Sequence, residues 1–172
     1  MELTYNDTMV TTPEVHLTFL DRLVSPLVMW SLVMAGAVVC WFTLSHDALW
    51  RDAWWMTILF IVGIVYWITM MRGALAVNRQ AAQPTVKNTA IVDRGVYGIV
   101  RHPIYSGDVY LMTVLALAFP NVWTVATCGW AIVVFIAWMF LEETELKRKF
   151  GSRYDEYRKR VPMIMPNITR PR

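Results

Sequence analysis

Residues 95–107 bring together several side chains that could do chemistry. The stretch reads Gly-Val-Tyr-Gly-Ile-Val-Arg-His-Pro-Ile-Tyr-Ser-Gly and joins two strongly apolar blocks. Pro103 suits the first turn of a helix, because the N–H that proline lacks would have no partner there. The amides from Ile104 onward would then face the preceding loop as free donors, which could bind an anionic or carbonyl group. The alternative is that Arg101 and His102 are ordinary interfacial residues at a helix entrance.

Three residues just inside this helix weigh against that alternative. Gly107 lets another helix or a ligand approach the backbone closely. Asp108 lies one helical turn beyond Tyr105, and an ionisable residue at membrane depth is a functional candidate by default. Asp108 could equally pair with a nearby arginine.

A second candidate group follows the last apolar block, where Glu142 and Glu143 stand side by side. Acids at a helix exit often only pair with basic neighbours, and Glu145 and Lys149 have the spacing of such a local pair. However, Glu142 and His102 are expected at adjacent ends of one helical hairpin, so they could meet in a single site.

These groups must be positioned by a largely apolar scaffold. The chain has 172 residues, of which 56% are hydrophobic and 17% are charged, and this exceeds the apolar content of ordinary soluble domains. Blocks long enough to cross or nearly cross a hydrocarbon core of about 30 Å are separated by a short loop containing His46 and by a tight Pro-Asn turn. We therefore predict an all-α polytopic membrane protein, one domain over residues 1–172, with four transmembrane helices at about 26–44, 54–71, 104–119 and 122–141.

The connecting segments carry the charge. Under the four-helix interpretation, all of the 16 Lys and Arg residues except Arg51 lie on one side, which predicts cytoplasmic N- and C-termini. Basic residues directly after an apolar helix favour contact with anionic membrane lipids over nucleic acid. Cys40 and Cys128 fall inside apolar blocks, where a free thiol behaves as a small hydrophobe, so we expect neither a disulfide nor a metal site. The first 24 residues lack the basic region and cleavage site of a signal peptide.

Three polar segments have helical potential outside the membrane. Leu17 to Val24 could form a short surface helix, and 73–79 could continue the second helix until Pro84 ends it. After residue 141, apolar residues at spacings of three and four predict an amphipathic cytosolic helix, which Gly151 could divide and Pro162 would end; these residues are Leu146, Phe150, Tyr154, Tyr157 and Val161.

Five elements in this order resemble a known family. They are Gly95-Val-Tyr97-Gly98, Arg101-His102-Pro103-Ile-Tyr105-Ser-Gly107, Glu142-Glu143, Phe150-Gly151-Ser-Arg-Tyr154-Asp-Glu-Tyr157, and Val161-Pro162 with a final Pro166. The set is similar to the integral-membrane methyltransferases related to isoprenylcysteine carboxyl methyltransferase and phospholipid methyltransferase.

This resemblance implies S-adenosylmethionine as methyl donor, bound on the cytosolic side by residues 91–107 and 142–166, and no metal. The cofactor-binding candidates that it implies are Tyr97, Arg101, His102, Tyr105, Gly107, Glu142 and Glu143. Glu142 and Arg72 are the catalytic candidates, with Arg72 positioning the acceptor.

The expected acceptor is a lipophilic molecule or a lipidated group, first of all an isoprenylcysteine-like carboxylate. A carboxylate is nucleophilic as it stands, whereas an amine acceptor such as a phospholipid would first lose a proton, which an acid could take. Two other hypotheses remain at this point. The C-terminal parts of sterol reductases look similar, and a non-catalytic membrane scaffold or small transporter could use the same motif as a packed turn. The oligomeric state is not indicated.

Overall fold

The computed structural model describes residues 25–50, 53–78 and 90–166. In this part of the chain every regular element is a helix, which confirms the all-α prediction. The elements are α1 (Pro26–Thr43), α2 (Trp54–Val77), a short 3₁₀ helix (Gly95–Gly98), α3 (Pro103–Ala118), α4 (Val122–Phe150) and α5 (Ser152–Arg160). The predicted surface helix before residue 25, Arg51, and Pro84 lie outside the described residues.

Helices α1, α2 and α4 are long and apolar enough to cross a membrane, with 18, 24 and 29 residues. Helix α3 is apolar but has only 16 residues, fewer than the three candidate spans, and its crossing of the membrane stays a prediction. Many large apolar side chains of α1 and α2 point outward; Phe42 and Trp54, for example, are 81% and 78% exposed. Such surfaces need a lipid environment, because water would not solvate them. The protein is an integral membrane protein.

The long helices run alternately up and down, so the bundle has two ends. Helix α1 packs on α4, α4 on α3, and α3 on α2. At the end that we call the far end, the loop after α1 meets the turn before α4: the Leu49 amide donates to the Pro120 carbonyl at 2.6 Å, and the Trp123 amide to the Ser45 carbonyl at 3.3 Å. The opposite end, called the site end, gathers the start of α3, the ends of α2 and α4, and α5.

Two helices continue beyond the predicted spans at the site end. Helix α2 extends to Val77, through the segment that was considered for such an extension. Helix α4 runs without interruption to Phe150, past residue 141 where the predicted span ended, because Glu, Leu, Lys and Arg favour helix and no breaker precedes Gly151. Gly151 has φ +55°, a left-handed conformation that suits glycine, and it divides α4 from α5 as predicted.

Close contact between α2 and α3 depends on a glycine. A Cβ atom on Gly107 would lie 3.2 Å from Trp67 Cδ1 and 3.5 Å from Met70 Cβ. Hydrogen at this position therefore lets the two backbones approach, as small residues do in membrane helix pairs. This approach fixes the start of α3, which carries the candidate residues, against α2.

Candidate active site

Arg101 is the centre of a buried ion-pair cluster at the site end. Its Nε and Nη2 atoms donate to Glu143 Oε1 at 2.9 and 2.5 Å. Its Nη1 atom donates to the carbonyl oxygens of Val161 at 2.6 Å and Arg158 at 3.2 Å. The side chains of Arg101 and Glu143 are only 7% and 6% exposed. Burial of two charges is tolerated when they are paired and their remaining groups are bonded, as they are here.

The chain after α5 lies along the start of α3 and is held there mainly through its own backbone. The amides of Arg101 and His102 donate to the carbonyls of Pro162 at 2.8 Å and Met163 at 3.1 Å. Ser106 Oγ donates to the Ile164 carbonyl at 2.9 Å. We call residues 161–164 the tail strap. The strap joins the two regions in which the sequence motifs lie.

His102 lies between the two acids. Its Nδ1 atom is 3.8 Å from Glu142 Oε2, and its Nε2 atom is 3.4 Å from Glu143 Oε1. The second contact lacks the alignment of a hydrogen bond, so Nε2 is buried without a hydrogen-bond partner among the described residues. Since buried polar atoms are usually bonded, His102 has capacity left for a ligand.

Glu142 and Glu143 serve different neighbours because consecutive helical residues point about 100° apart. Glu142 Oε1 accepts a hydrogen bond from the Tyr105 hydroxyl at 2.6 Å. Glu143 instead faces Arg101, and its second oxygen lies 3.4 Å from Arg158 Nε on α5. The pair thus connects α4 with α3 on one side and with α5 on the other.

An open cleft adjoins the cluster. It is lined by Arg101, by Tyr97 of the 3₁₀ helix, by the end of α2, and by side chains of α4, α5 and residues 90–92. The Tyr157 hydroxyl donates to the Tyr97 carbonyl at 2.7 Å. Burial, and then the nearby charge of Glu142, raise the pKa of the Tyr97 phenol. Tyr97 is therefore a neutral hydroxyl and an uncharged aromatic ring at physiological pH.

A second polar contact lies deeper, between α2 and α3. Asp108 is 5% exposed, and its Oδ1 atom accepts a hydrogen bond from Trp67 Nε1 at 2.7 Å. Among the described residues Asp108 has no arginine partner, which was one of the two alternatives considered from the sequence. Ser106 Oγ donates its proton to the Ile164 carbonyl, so it accepts a hydrogen bond from the Tyr66 hydroxyl at 2.9 Å.

Arg72 is not brought to the cluster. Met70 contacts Gly107 and Ala74 is fully buried, so both lie on the inward side of α2. Arg72 is two residues from each and therefore points to nearly the opposite side, where it is exposed. Within the described residues it makes no hydrogen bond or ion pair. Its role in catalysis stays a prediction.

Of the other candidates, the structure brings together Arg101, His102, Tyr105, Glu142 and Glu143, with Tyr97 at the adjoining cleft. Gly107 lies against α2 instead, and a role in cofactor binding stays a prediction for all of them. Sequence reasoning missed Arg158, Ser106, Tyr66 and Trp67. The sequence does contain a signal for Tyr66 and Trp67. Both are aromatic residues with a polar atom at the tip, and they lie at the same depth in α2 as Ser106 and Asp108 do in the antiparallel α3.

The described residues contain no group of three or more His, Cys, Asp or Glu side chains placed to hold a metal ion. The cluster is instead a set of donors and acceptors that can bind a polar, charged organic molecule.

Fold and site together define a polytopic membrane protein with a buried charged cluster at one end of an apolar bundle. A model of the phospholipid methyltransferase family matches residues 53–153, more than half of the chain and most of the site. The chain therefore belongs to the phospholipid methyltransferase family.

Individual relatives differ in their named substrates. Protein-S-isoprenylcysteine O-methyltransferase B of Arabidopsis thaliana is 29% identical over 129 residues, which are 69% of this chain and 63% of that protein. A methanethiol S-methyltransferase of Crocosphaera subtropica is 38% identical over 78 residues, 42% of this chain and 28% of the relative. A probable 7-dehydrocholesterol reductase of Acanthamoeba polyphaga mimivirus is 28% identical over 92 residues, 52% of this chain and 21% of the relative. The chain thus spans less than two thirds of the length of each, and no solved structure matches it.

Proposed function

We propose that this protein transfers a methyl group from S-adenosylmethionine to a lipophilic acceptor at the membrane surface, with an isoprenylcysteine-like carboxylate as the acceptor. The observation that carries the proposal is the Arg101–Glu143–His102–Glu142–Tyr105 cluster, which lies at the polar end of an apolar bundle beside an open cleft. A water-soluble donor and a membrane-dissolved acceptor can both reach such a boundary.

The residues present suit S-adenosylmethionine, which carries an amino group, ribose hydroxyls and a positively charged sulfonium. Glu142 and Glu143 provide acceptors for the amino group or the hydroxyls. His102 Nε2 is a buried ring nitrogen without a hydrogen-bond partner among the described residues. The neutral rings of Tyr97 and Tyr105 can face a cation, a contact worth roughly 0.5 to 2 kcal/mol.

When bound, S-adenosylmethionine supplies a methyl group on a leaving group that is already activated. The chain's own contribution is then alignment and exclusion of water. A carboxylate acceptor would form the new C–O bond through an oxygen lone pair, and the donor would leave as a neutral thioether that keeps the electron pair of the broken C–S bond. No proton moves, so no residue has to act as a base.

Three residues have proposed roles around this step. Tyr105 holds Glu142 in place, and Glu142 in turn orients the donor. Arg72 would neutralise and position the acceptor carboxylate, a role that requires the acceptor to extend to the outward side of α2. The basic residues at the site end, including Lys147, Arg153 and Arg160, support a cytoplasmic orientation of this end.

Donor binding is the first test. The purified protein in detergent or lipid should bind S-adenosylmethionine and S-adenosylhomocysteine by calorimetry, and His102→Ala should lose that binding while folding is retained. Glu143→Ala should lose it as well, with a loss of stability because Arg101 is left buried without its partner. Glu145→Ala is the matched control, since Glu145 lies on the same helix but pairs only locally with Arg148. Absence of binding in the wild-type protein would refute the proposal.

Product chemistry is the second test. Label transferred from methyl-labelled donor to a carboxylate gives an ester, which is lost in base, whereas N-methyl and S-methyl products keep the label. A base-stable product on a phospholipid amine would favour N-methylation, the alternative supported by the name of the family. Oxidation of NADPH without methyl transfer would favour a reductase, as the similarity to the reductase relative suggests. Unaltered cellular function in both the His102 and Glu143 variants would favour a non-catalytic scaffold.

A further inference from the structure

One buried donor on α4 has no use in the site described so far. Trp138 is only 7% exposed, and its Nε1 atom is buried without an acceptor among the described residues. Two other indoles, one on α2 and one on α4, each donate to a protein acceptor. Trp67 donates to Asp108 at 2.7 Å, and Trp130 donates to the Leu32 carbonyl at 2.9 Å. A buried indole N–H normally finds an acceptor, so the exception at Trp138 calls for an explanation.

Trp138 lies directly on the membrane side of the polar cluster. It precedes Glu142 by four residues on α4, which places the two side chains one above the other on the same helical face. It belongs to the buried apolar cluster that also contains Tyr105 of α3 and Met29 of α1, and Tyr105 is hydrogen-bonded to Glu142. Trp138 therefore lies in the apolar core one helical turn from the polar cluster, on the side of the cluster that faces the bilayer.

We propose that the indole N–H of Trp138 binds an oxygen atom of the methyl acceptor and so selects a carboxylate acceptor over amines and thiols. This inference rests on the proposed function, because it assigns a residue to the acceptor side of that site, and it gives the contact with the carboxylate to Trp138 in place of Arg72, which lies on the outward side of α2. Trp138 is a binding and specificity residue, and it keeps its proton throughout.

Hydrogen-bond chemistry gives the selectivity. An indole N–H is a donor only, so it needs an acceptor lone pair. A carboxylate oxygen accepts strongly because it is charged. A protonated amine has no lone pair to offer, a neutral amine needs its single lone pair for the attack on the methyl group, and a thiol sulfur is a weak acceptor. An amine or thiol next to Trp138 would leave the N–H unbonded, as it is without a ligand.

The same bond weakens after transfer. Methylation turns the charged carboxylate into a neutral ester, whose oxygens are weaker acceptors. The contact therefore favours the substrate over the product and assists product release.

The apolar cluster that contains Trp138 has adaptable side chains at its edge. Met112 of α3 and Met163 of the tail strap are partly buried side chains at the edge of the apolar cluster. Methionine is unbranched and adapts its shape readily, so Met112 and Met163 are the side chains whose movement would admit an acceptor chain.

The test compares Trp138→Phe with Trp130→Phe, a matched removal of an indole from the same helix. The acceptor probe is a farnesylated cysteine with a free carboxylate, and its Kd is measured in lipid nanodiscs without donor. We expect Trp138→Phe to weaken binding about tenfold to hundredfold, the range for a hydrogen bond to a charged group. Trp130→Phe should leave the Kd unchanged, and neither variant should change the affinity for S-adenosylhomocysteine. Equal acceptor affinity in Trp138→Phe and the wild type would overturn the proposal.

A direct readout follows the N–H itself. In protein labelled with ¹⁵N-tryptophan, the Nε1–H resonance of Trp138, assigned by its loss in Trp138→Phe, should move downfield when the carboxylate probe is added. It should move less with the methyl ester of the probe. An unperturbed resonance at saturating probe contradicts the proposal. If Trp138→Phe does not fold, replacement of the indole by benzothiophene removes only the N–H and serves the same comparisons.

The experiments separate this inference from the function on which it rests. If the wild-type protein binds neither donor nor donor product, the proposed function fails. If the protein methylates a carboxylate with the same KM in Trp138→Phe and the wild type, only the role of Trp138 is wrong. Methylation of amines or thiols alone also overturns the selectivity that we assign to Trp138.

Discussion

The two described histidines occupy opposite ends of the bundle and opposite chemical environments. His46 at the far end is exposed and packs against aromatic rings, with its centroid 4.6 Å from that of Trp41 and 5.9 Å from that of Trp123. His102 at the site end is 6% exposed and lies between two carboxylates. The far end is closed by backbone hydrogen bonds and aromatic packing. The site end buries charge instead.

This difference suggests a use for the site end beyond closure of the bundle. Backbone hydrogen bonds and stacked aromatic rings suffice to join helices at a membrane interface, as the far end demonstrates. A buried ion-pair cluster is an inefficient way to reach the same result, because the desolvation of its charges offsets much of their attraction. The charges of the site end therefore have a use beyond holding α3 to α4, and ligand binding is that use in the proposed function.

The largest effect should come from removing the centre of the cluster. Arg101→Met leaves Glu143 buried without its main partner and frees the carbonyls of Arg158 and Val161. We expect a loss of about 3 to 5 kcal/mol in the free energy of unfolding, as for other broken buried pairs, together with loss of donor binding. Thermal unfolding in detergent and calorimetry measure the two effects.

His46→Ala is the control at the far end. It removes aromatic contacts that are worth about 0.5 to 1.5 kcal/mol and should leave donor affinity unchanged. If both variants destabilise the protein equally, or if His46→Ala also abolishes donor binding, the distinction between the two ends fails.

A smaller effect should follow when one hydrogen bond of the cluster is removed. Tyr105→Phe deletes the hydroxyl that donates to Glu142 at 2.6 Å and leaves that carboxylate less well held. The expected loss is about 1.5 to 3 kcal/mol, the range for a hydrogen bond to a charged group, seen as a tenfold to hundredfold fall in kcat/KM. Tyr110→Phe is the control, because Tyr110 lies on the same helix and packs against the Tyr66 ring, 5.1 Å between centroids. A larger loss in Tyr110→Phe would contradict the assignment.

Sequence reasoning located the polar ends of this site but not the link between them. The Arg-His-Pro turn and the paired glutamates are visible because their side chains carry charge next to apolar blocks. The tail strap is not visible in the same way, since it offers mainly backbone carbonyls, which every residue has. Its position follows only from the three-dimensional path of α5, and Gly151 and Pro162 indicate where that path bends without giving its direction.

Packing between α2 and α3 offers a third test, of intermediate size. Gly107→Ala would place a Cβ 3.2 Å from Trp67 Cδ1 and push α2 away from the start of α3. We expect a destabilisation of about 1 to 2 kcal/mol, typical of overpacking, measured by thermal unfolding. Gly129→Ala is the control: nothing lies within 4 Å of its added Cβ, so alanine should be neutral or stabilising by up to about 1 kcal/mol. Destabilisation by Gly129→Ala alone would reverse this interpretation.

The smallest effect on the fold should come from Arg72, whose position the sequence did not determine. A helix places a residue at a known depth, but the side it faces depends on which neighbour it packs against, and that choice is made by Gly107, Trp67 and Met70. Arg72 faces away from this contact, so Arg72→Ala should change stability by less than about 0.5 kcal/mol and leave the donor Kd unaltered. If Arg72 positions the acceptor, the KM for a carboxylate acceptor rises while the KM for a neutral thiol does not. An unchanged KM for both would remove Arg72 from the site and leave recognition of the acceptor to the inward face of the bundle.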